Sequence, residues 1–241
     1  MRPTRVVAVS PHLDDAAFSA GALLTGLAAA GARVHVVTVF TATVPDPAGF
    51  ALACQTDKGL APDVDYMAVR RAEDAAAMAA LGVRGHHLPL REAPHRGYHS
   101  AAELFGAIAP GDEDCPAAVG AALEGFLDLL GAEHLDGPVD LLLGPQGLGD
   151  HVDHRHVRTA VDALAGRRGY PLARWADTPY VLRPGASAPT GSPRPAAREE
   201  LDAKVAACAA YATQLGFQFD GTAAMARALR ECPETFDAPV P

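Results

Sequence analysis

Arg5-Val6-Val7-Ala8-Val9-Ser10, followed by Pro11-His12-Leu13-Asp14-Asp15, is the stretch that decides the fold. The apolar run has the length and side chains of a buried strand, and the polar turn after it leads into Ala16–Ala30, a helix closed by Gly31. Arg33-Val34-His35-Val36-Val37-Thr38-Val39-Phe40 is then a second β-branched segment. Strand, helix and strand within the first forty residues make a βαβ unit, which implies a right-handed crossover and parallel pairing.

Further helices are predicted over Tyr66–Leu81, Ala117–Leu130 and His154–Ala165, and strands over His86–Leu88 and Val139–Leu143. Leu172–Leu182 reads as extended. The tail reads as two helices, Ala197–Gln214 and Thr222–Arg230. Thr41–Asp65, broken by Pro45, Pro47, Gly49, Gly59 and Pro62, has no period and reads as a long exposed loop, the kind that often serves function. Pro184–Pro195 reads as a second exposed loop, and residues 89–100 as a further loop carrying His95, Arg96 and His99. The fold class is α/β: a Rossmann-like three-layer sandwich with a mostly parallel sheet, forming one domain over residues 1–241.

Twenty basic against 29 acidic residues leave a net charge of −9, and no Lys/Arg block offsets it. That balance disfavours a nucleic-acid or anionic-membrane surface and suits a small or glycan-like substrate. Four widely spaced cysteines with no CxxC pair argue against a disulfide framework and for a reducing cytoplasm. The first apolar run is short and stopped by Pro11, so neither a signal peptide nor a membrane span is expected.

A second motif, His151-Val152-Asp153-His154, follows the Val139–Leu143 run and a glycine-rich turn. Open α/β sheets bind ligands at their carboxyl strand ends, so two such ends can bring both motifs to one crevice. A hydrolytic zinc site takes three N/O ligands and leaves a position for water. His12 and Asp15, three apart where strand turns into helix, can face one point while Asp14 faces elsewhere in the crevice. The aspartate pair therefore divides into a ligand, Asp15, and a general base, Asp14. His154, opening a helix, is the third ligand, and His151, held by Asp153 in its protonated form, would stabilise the oxyanion or protonate the leaving amine. Either motif alone has an ordinary structural explanation, a strand-end histidine or an acidic helix start. Their joint occurrence favours chemistry.

At these residues the chain resembles the PIG-L / LmbE-like family of zinc-dependent N-deacetylases, whose motifs read P-H-x-D-D and H-x-D-H. Arg70-Arg71-Ala72-Glu73-Asp74, Gly147-Leu148-Gly149-Asp150-His151, Ala176-Asp177-Thr178-Pro179-Tyr180, and Lys204 with Tyr211 and Gln214 fall in the family's order. The resemblance implies one zinc ion on His12, Asp15 and His154, Asp14 as base, His151 as the electrophilic or acid histidine steered by Asp153, and hydrolysis of an N-acetyl group on an amino-sugar conjugate. It also implies substrate contact for Arg70; Arg96 is a second candidate for that role. The alternative for Arg70 is a surface pair with Glu73 worth a few tenths of a kcal/mol. Leu13, Ala16 and Gly149 depart from common family patterns; some members carry tyrosine at the last of these positions. Two competing functions are a two-metal phosphoesterase, suggested by Asp153-His154-Arg155-His156, and a non-catalytic carbohydrate-binding relative.

Overall fold

The computed structural model describes residues 3–133 and 139–241. In chain order these form β1 (Arg5–Ser10), α1 (Asp15–Ala29), β2 (Arg33–Thr38), α2 (Gly49–Thr56), α3 (Tyr66–Leu81), β3 (Arg84–His87), α4 (Ala101–Leu104) and α5 (Cys115–Glu133). They continue with β4 (Leu141–Pro145), α6 (Val152–Arg168), β5 (Leu172–Trp175), β6 (Ser192–Pro193), α7 (Arg198–Cys208), α8 (Ala212–Phe219), α9 (Thr222–Glu231) and β7 (Thr235–Phe236).

The sheet runs β3-β2-β1-β4-β5-β7-β6. Its first five strands are parallel, and β7 pairs antiparallel with both β5 and β6. Alternation along β1 explains the layers. Val6 and Ala8 join a core with α1, α3, α7 and α9, through Leu23, Leu27, Met78, Ala207 and Met225. Val7 and Val9 face the opposite side, against Leu123 and Leu127 of α5 and Val157, Val161 and Leu164 of α6. A strand buried on both faces reads as an unbroken apolar run, as β1 does. The expected three-layer α/β sandwich is therefore present.

The chain leaves β1 toward β2 and β3, then returns to the other side of β1 as β4. That reversal opens a crevice at the carboxyl ends of β1 and β4, and their register, Ala8 beside Leu143, brings the two following turns together.

Several local expectations are corrected. Residues 41–65 are not a plain loop, because α2 lies within them; buried Gln55 ties the helix to the Val64 carbonyl at 3.1 Å. The flanking prolines and glycines masked a stretch of Ala, Leu and Gln that favours helix. Leu172–Leu182 is extended only to Trp175; beyond it come a cis Thr178–Pro179 peptide and a 3₁₀ turn at Tyr180–Leu182. Within 184–195 most residues are exposed, but Ser192–Pro193 pairs with β7 at the sheet edge. The Ala197–Gln214 helix is two helices, α7 and α8. It breaks where Tyr211 turns inward to donate its hydroxyl to Asp74 Oδ1 at 2.7 Å.

Candidate active site

The turn after β1 is shaped by its own polar atoms. Ser10 Oγ donates to the His12 carbonyl at 2.7 Å and accepts from Ala16 N–H at 3.0 Å, locking strand end to helix start. Asp15 begins α1, and its Oδ2 accepts from the His12 backbone N–H at 2.8 Å. The same oxygen lies 3.2 Å from His12 Nδ1 and 3.2 Å from His154 Nε2. His154 comes from the first turn of α6, across the crevice. The donor atoms of His12, Asp15 and His154 all lie within 4.8 Å of one another, a two-nitrogen, one-oxygen set suited to a divalent metal.

His154 supplies an independent test of that fit. Its Nδ1 bonds Asp177 Oδ1 at 2.7 Å, while its fully buried Nε2 has no hydrogen-bond partner. A carboxylate on one ring nitrogen and a bare second nitrogen aimed at another carboxylate is how metal-binding histidines are held. Asp177 falls in one of the family-like segments, just before the cis Thr178–Pro179 peptide, and only the three-dimensional path of the chain brings it to His154. Burial would lower the His154 pKa, but Asp15 and Asp177 outweigh it and raise it to about 9. Burial likewise acts to raise Asp15, and the imidazoles of His154 and His12 override it, holding the carboxyl far below its ordinary range.

Asp14 stands next to this set without belonging to it. Its Oδ2 accepts from Gln218 Nε2 of α8 at 3.0 Å, and its Oδ1 lies 3.5 Å from Arg70 Nη2. Burial, reinforced by the Asp15 charge, pushes its pKa up to about 7 against the pull of Arg70. Arg70 is buried, and its Nη1 bonds Glu92 Oε1 at 2.5 Å. Glu73 instead binds Thr213, so the Arg70–Glu73 surface pair is absent. Arg70, Glu92, Tyr66, Gln218 and Tyr180 line one pocket of about 130 Å³ together with His12, Asp14, Asp15 and His151.

Asp153 corrects the expectation that its carboxylate steers His151. It is Asp153's backbone N–H that donates to His151 Nδ1, at 3.2 Å. The Asp153 carboxylate instead bonds His12 Nε2 at 2.9 Å, Ala93 N–H at 3.1 Å and Arg96 Nη2 at 2.6 Å. Burial and then the His12 charge depress the His151 pKa well below its ordinary value, so the ring is neutral, not protonated. With Nδ1 accepting, its proton sits on Nε2.

Arg96 is corrected too. It does not line the pocket; its guanidinium lies behind it, bonded to Asp112 and Asp153. Asp112, Cys115 and His156 form another close group of donor atoms, but Arg96 already neutralises Asp112. Burial also pushes the Cys115 thiol up to about 12, leaving it protonated. A larger groove of about 1020 Å³ opens at the other end of the sheet, where the side chain of Asp140 is engaged by Thr4 and Arg5.

Gly149, with φ +83°, sits against Tyr180: a Cβ there would come within 2.7–2.8 Å of that ring. Tyr180 meets the His154 ring edge-on at 5.1 Å. An aromatic group thus reaches this wall from the turn after β5 instead of from position 149.

Fold and site together define an α/β protein with a candidate metal-binding set of two histidines and an aspartate at a topological switch point. The chain belongs to the PIG-L family (GlcNAc-PI de-N-acetylase), whose model matches residues 7–165. It is 32% identical over 186 residues to a 2'-N-acetylparomamine deacetylase of Streptomyces fradiae, covering 75% of this chain and 59% of that one. It is 31% identical over 215 residues to a 1D-myo-inositol 2-acetamido-2-deoxy-alpha-D-glucopyranoside deacetylase of Corynebacterium glutamicum, covering 83% and 65%. The chain thus spans less than two thirds of these curated relatives. Among solved structures it resembles the antimicrobial A40926 pseudoaglycone deacetylase (32% identity, TM-score 0.76, covering 91% of this chain and 85% of that one). It also resembles the zinc-inhibited form of a teicoplanin deacetylase (27%, 0.79, covering 94% and 90%).

Proposed function

We propose that this protein is a metal-dependent N-deacetylase that removes the acetyl group from an amino-sugar conjugate, with one zinc ion on His12, Asp15 and His154. One observation carries the reading: Asp15 Oδ2 stands 3.2 Å from a ring nitrogen of each histidine, with Asp14, outside that set, beside it in the same pocket. A divalent ion there supplies Lewis acidity and lowers the pKa of its water to about 7.

Asp14 takes the proton from the attacking water and, with a pKa near neutrality, returns it to the nitrogen as the C–N bond breaks. His151, neutral and carrying its proton on Nε2, donates to the oxygen on which charge develops. Arg70 and Gln218 hold Asp14, and Arg70 also faces the substrate. The products are acetate and a free amine. The names of the relatives, each a deacetylase and two of them of acetamido or N-acetyl sugars, support the same class.

Among the described residues no helix is long and apolar enough to cross a membrane. A single-domain enzyme of a bacterial cytoplasm, acting on a small glycoside without nucleic acid, completes the proposal. The test is acetate release from N-acetylglucosamine and its glycosides, with and without a chelator, across a titration of zinc and other divalent ions. Turnover that survives complete metal removal overturns the metal role, and no release from any N-acetyl amino sugar overturns the substrate class. Loss of the metal is expected for His154→Ala.

A further inference from the structure

Behind the pocket, basic and acidic side chains alternate in one hydrogen-bonded series: His12, Asp153, Arg96, Asp112, His156. Arg96 is its centre. Nε donates to Asp112 Oδ1 at 2.8 Å, and Nη2 to Asp112 Oδ2 at 3.2 Å and to Asp153 Oδ1 at 2.6 Å. Nη1 donates to the Arg91 carbonyl, and the guanidinium lies over the Phe40 ring, 4.7 Å from its centre. Asp112 Oδ2 also accepts from Tyr98 Oη and bonds His156 Nε2, each at 2.9 Å. Asp153 is wholly buried, so every lone pair it leaves unmet is costly.

The consequence concerns His12. Asp153 Oδ1 is held by Arg96 and Oδ2 by Ala93 N–H, so the carboxylate is fixed at both oxygens before His12 reaches it. In that orientation Oδ2 takes the proton of His12 Nε2 at 2.9 Å, and the Nδ1 lone pair is what the ring presents to Asp15 and the site. Hydrogen bonds of this kind set the tautomer and angle of a metal-binding imidazole. A guanidinium is needed because its planar fork reaches two carboxylates at once, which a lysine ammonium on one stem does not.

We propose that Arg96 is a positioning residue for the metal ligand His12, acting through Asp153 and anchored by Asp112. The inference rests on the metal reading above, and its test separates the two. Zinc affinity is measured by competition with a chromophoric chelator in the wild type, Arg96→Lys, and the double variant Arg96→Met/Asp112→Asn, which removes the guanidinium together with one of the two carboxylates it pairs. The visible spectrum of each protein loaded with cobalt(II) reports ligand geometry independently of turnover.

A 10–100-fold weaker affinity and an altered cobalt spectrum are expected in both variants, with Lys the milder. Variants that bind as tightly as wild type with an unchanged spectrum overturn the positioning role while leaving the metal site standing. A wild type that binds no divalent ion removes the metal reading itself, and this inference with it. Should the variants fail to fold, the wild-type zinc protein still decides. Its long-range ¹H–¹⁵N spectrum must show His12 protonated at Nε2, and a proton on Nδ1 overturns the proposal.

Discussion

Residues 7–165, the stretch that matches the family, and residues 166–241 contribute to one pocket by different means. The first stretch delivers His12, Asp14, Asp15, His151 and Asp153 from turns that directly follow or begin regular elements, where the backbone path dictates position. The second delivers Tyr180 from a 3₁₀ turn and Gln214, Phe217 and Gln218 from a short helix held by side-chain bonds to α3. One region supplies the candidate ligands and base, and the other forms a wall and, through Asp177, holds the His154 ring. The wall is anchored by a buried ion pair: Lys204 Nζ lies 2.8 Å from Glu234, whose carboxylate also accepts from Ala22 and Leu23 N–H of α1.

This contrast can be broken by substitutions that separate turnover from stability. The largest effect is expected for Asp14→Asn, with kcat falling about 10²–10⁴-fold while zinc content and melting temperature hold. Acetate release and metal analysis check it, and an emptied site would reverse the assignment of base and ligand. Glu234→Ala should do the opposite. Leaving Lys204 buried without a partner costs about 3–5 kcal/mol in urea unfolding, with kcat per folded molecule unchanged.

The pH profile sharpens the same division. Asp14 must be ionised to accept a proton, so kcat/KM should be full above about pH 7 and fall tenfold per unit below it. An acid limb lying near pH 4 would show that the charge of a bound metal, which favours the ionised form, outweighs burial at that carboxyl. The smallest effect is expected where the wall touches the chemistry. Gln218→Leu removes one hydrogen bond to Asp14, about 1 kcal/mol or roughly fivefold in kcat/KM.

What was legible in the sequence follows the same line. The β1 and β4 runs, the two motifs and the parallel layering could be read because periodicity and strand-to-helix turns determine where those residues go. The role of Asp153 could not, because adjacency to His151 suggested a side-chain contact that the first turn of α6 directs elsewhere, toward His12. Arg96 had the right loop and the wrong side of it. Asp177, Glu92 and Gln218 reach the site over separations of 22 to 204 residues, and no local pattern announces such contacts. The helix α2 was hidden by the prolines and glycines that flank it.

Tyr180 and Gly149 are in effect a lock and its keyhole: the ring fills the space that a side chain at position 149 would need. A tyrosine placed at position 149 alone would drive a side chain into the ring already seated there, on a backbone bend that only glycine takes comfortably. Any redesign of this wall therefore has to move both residues at once.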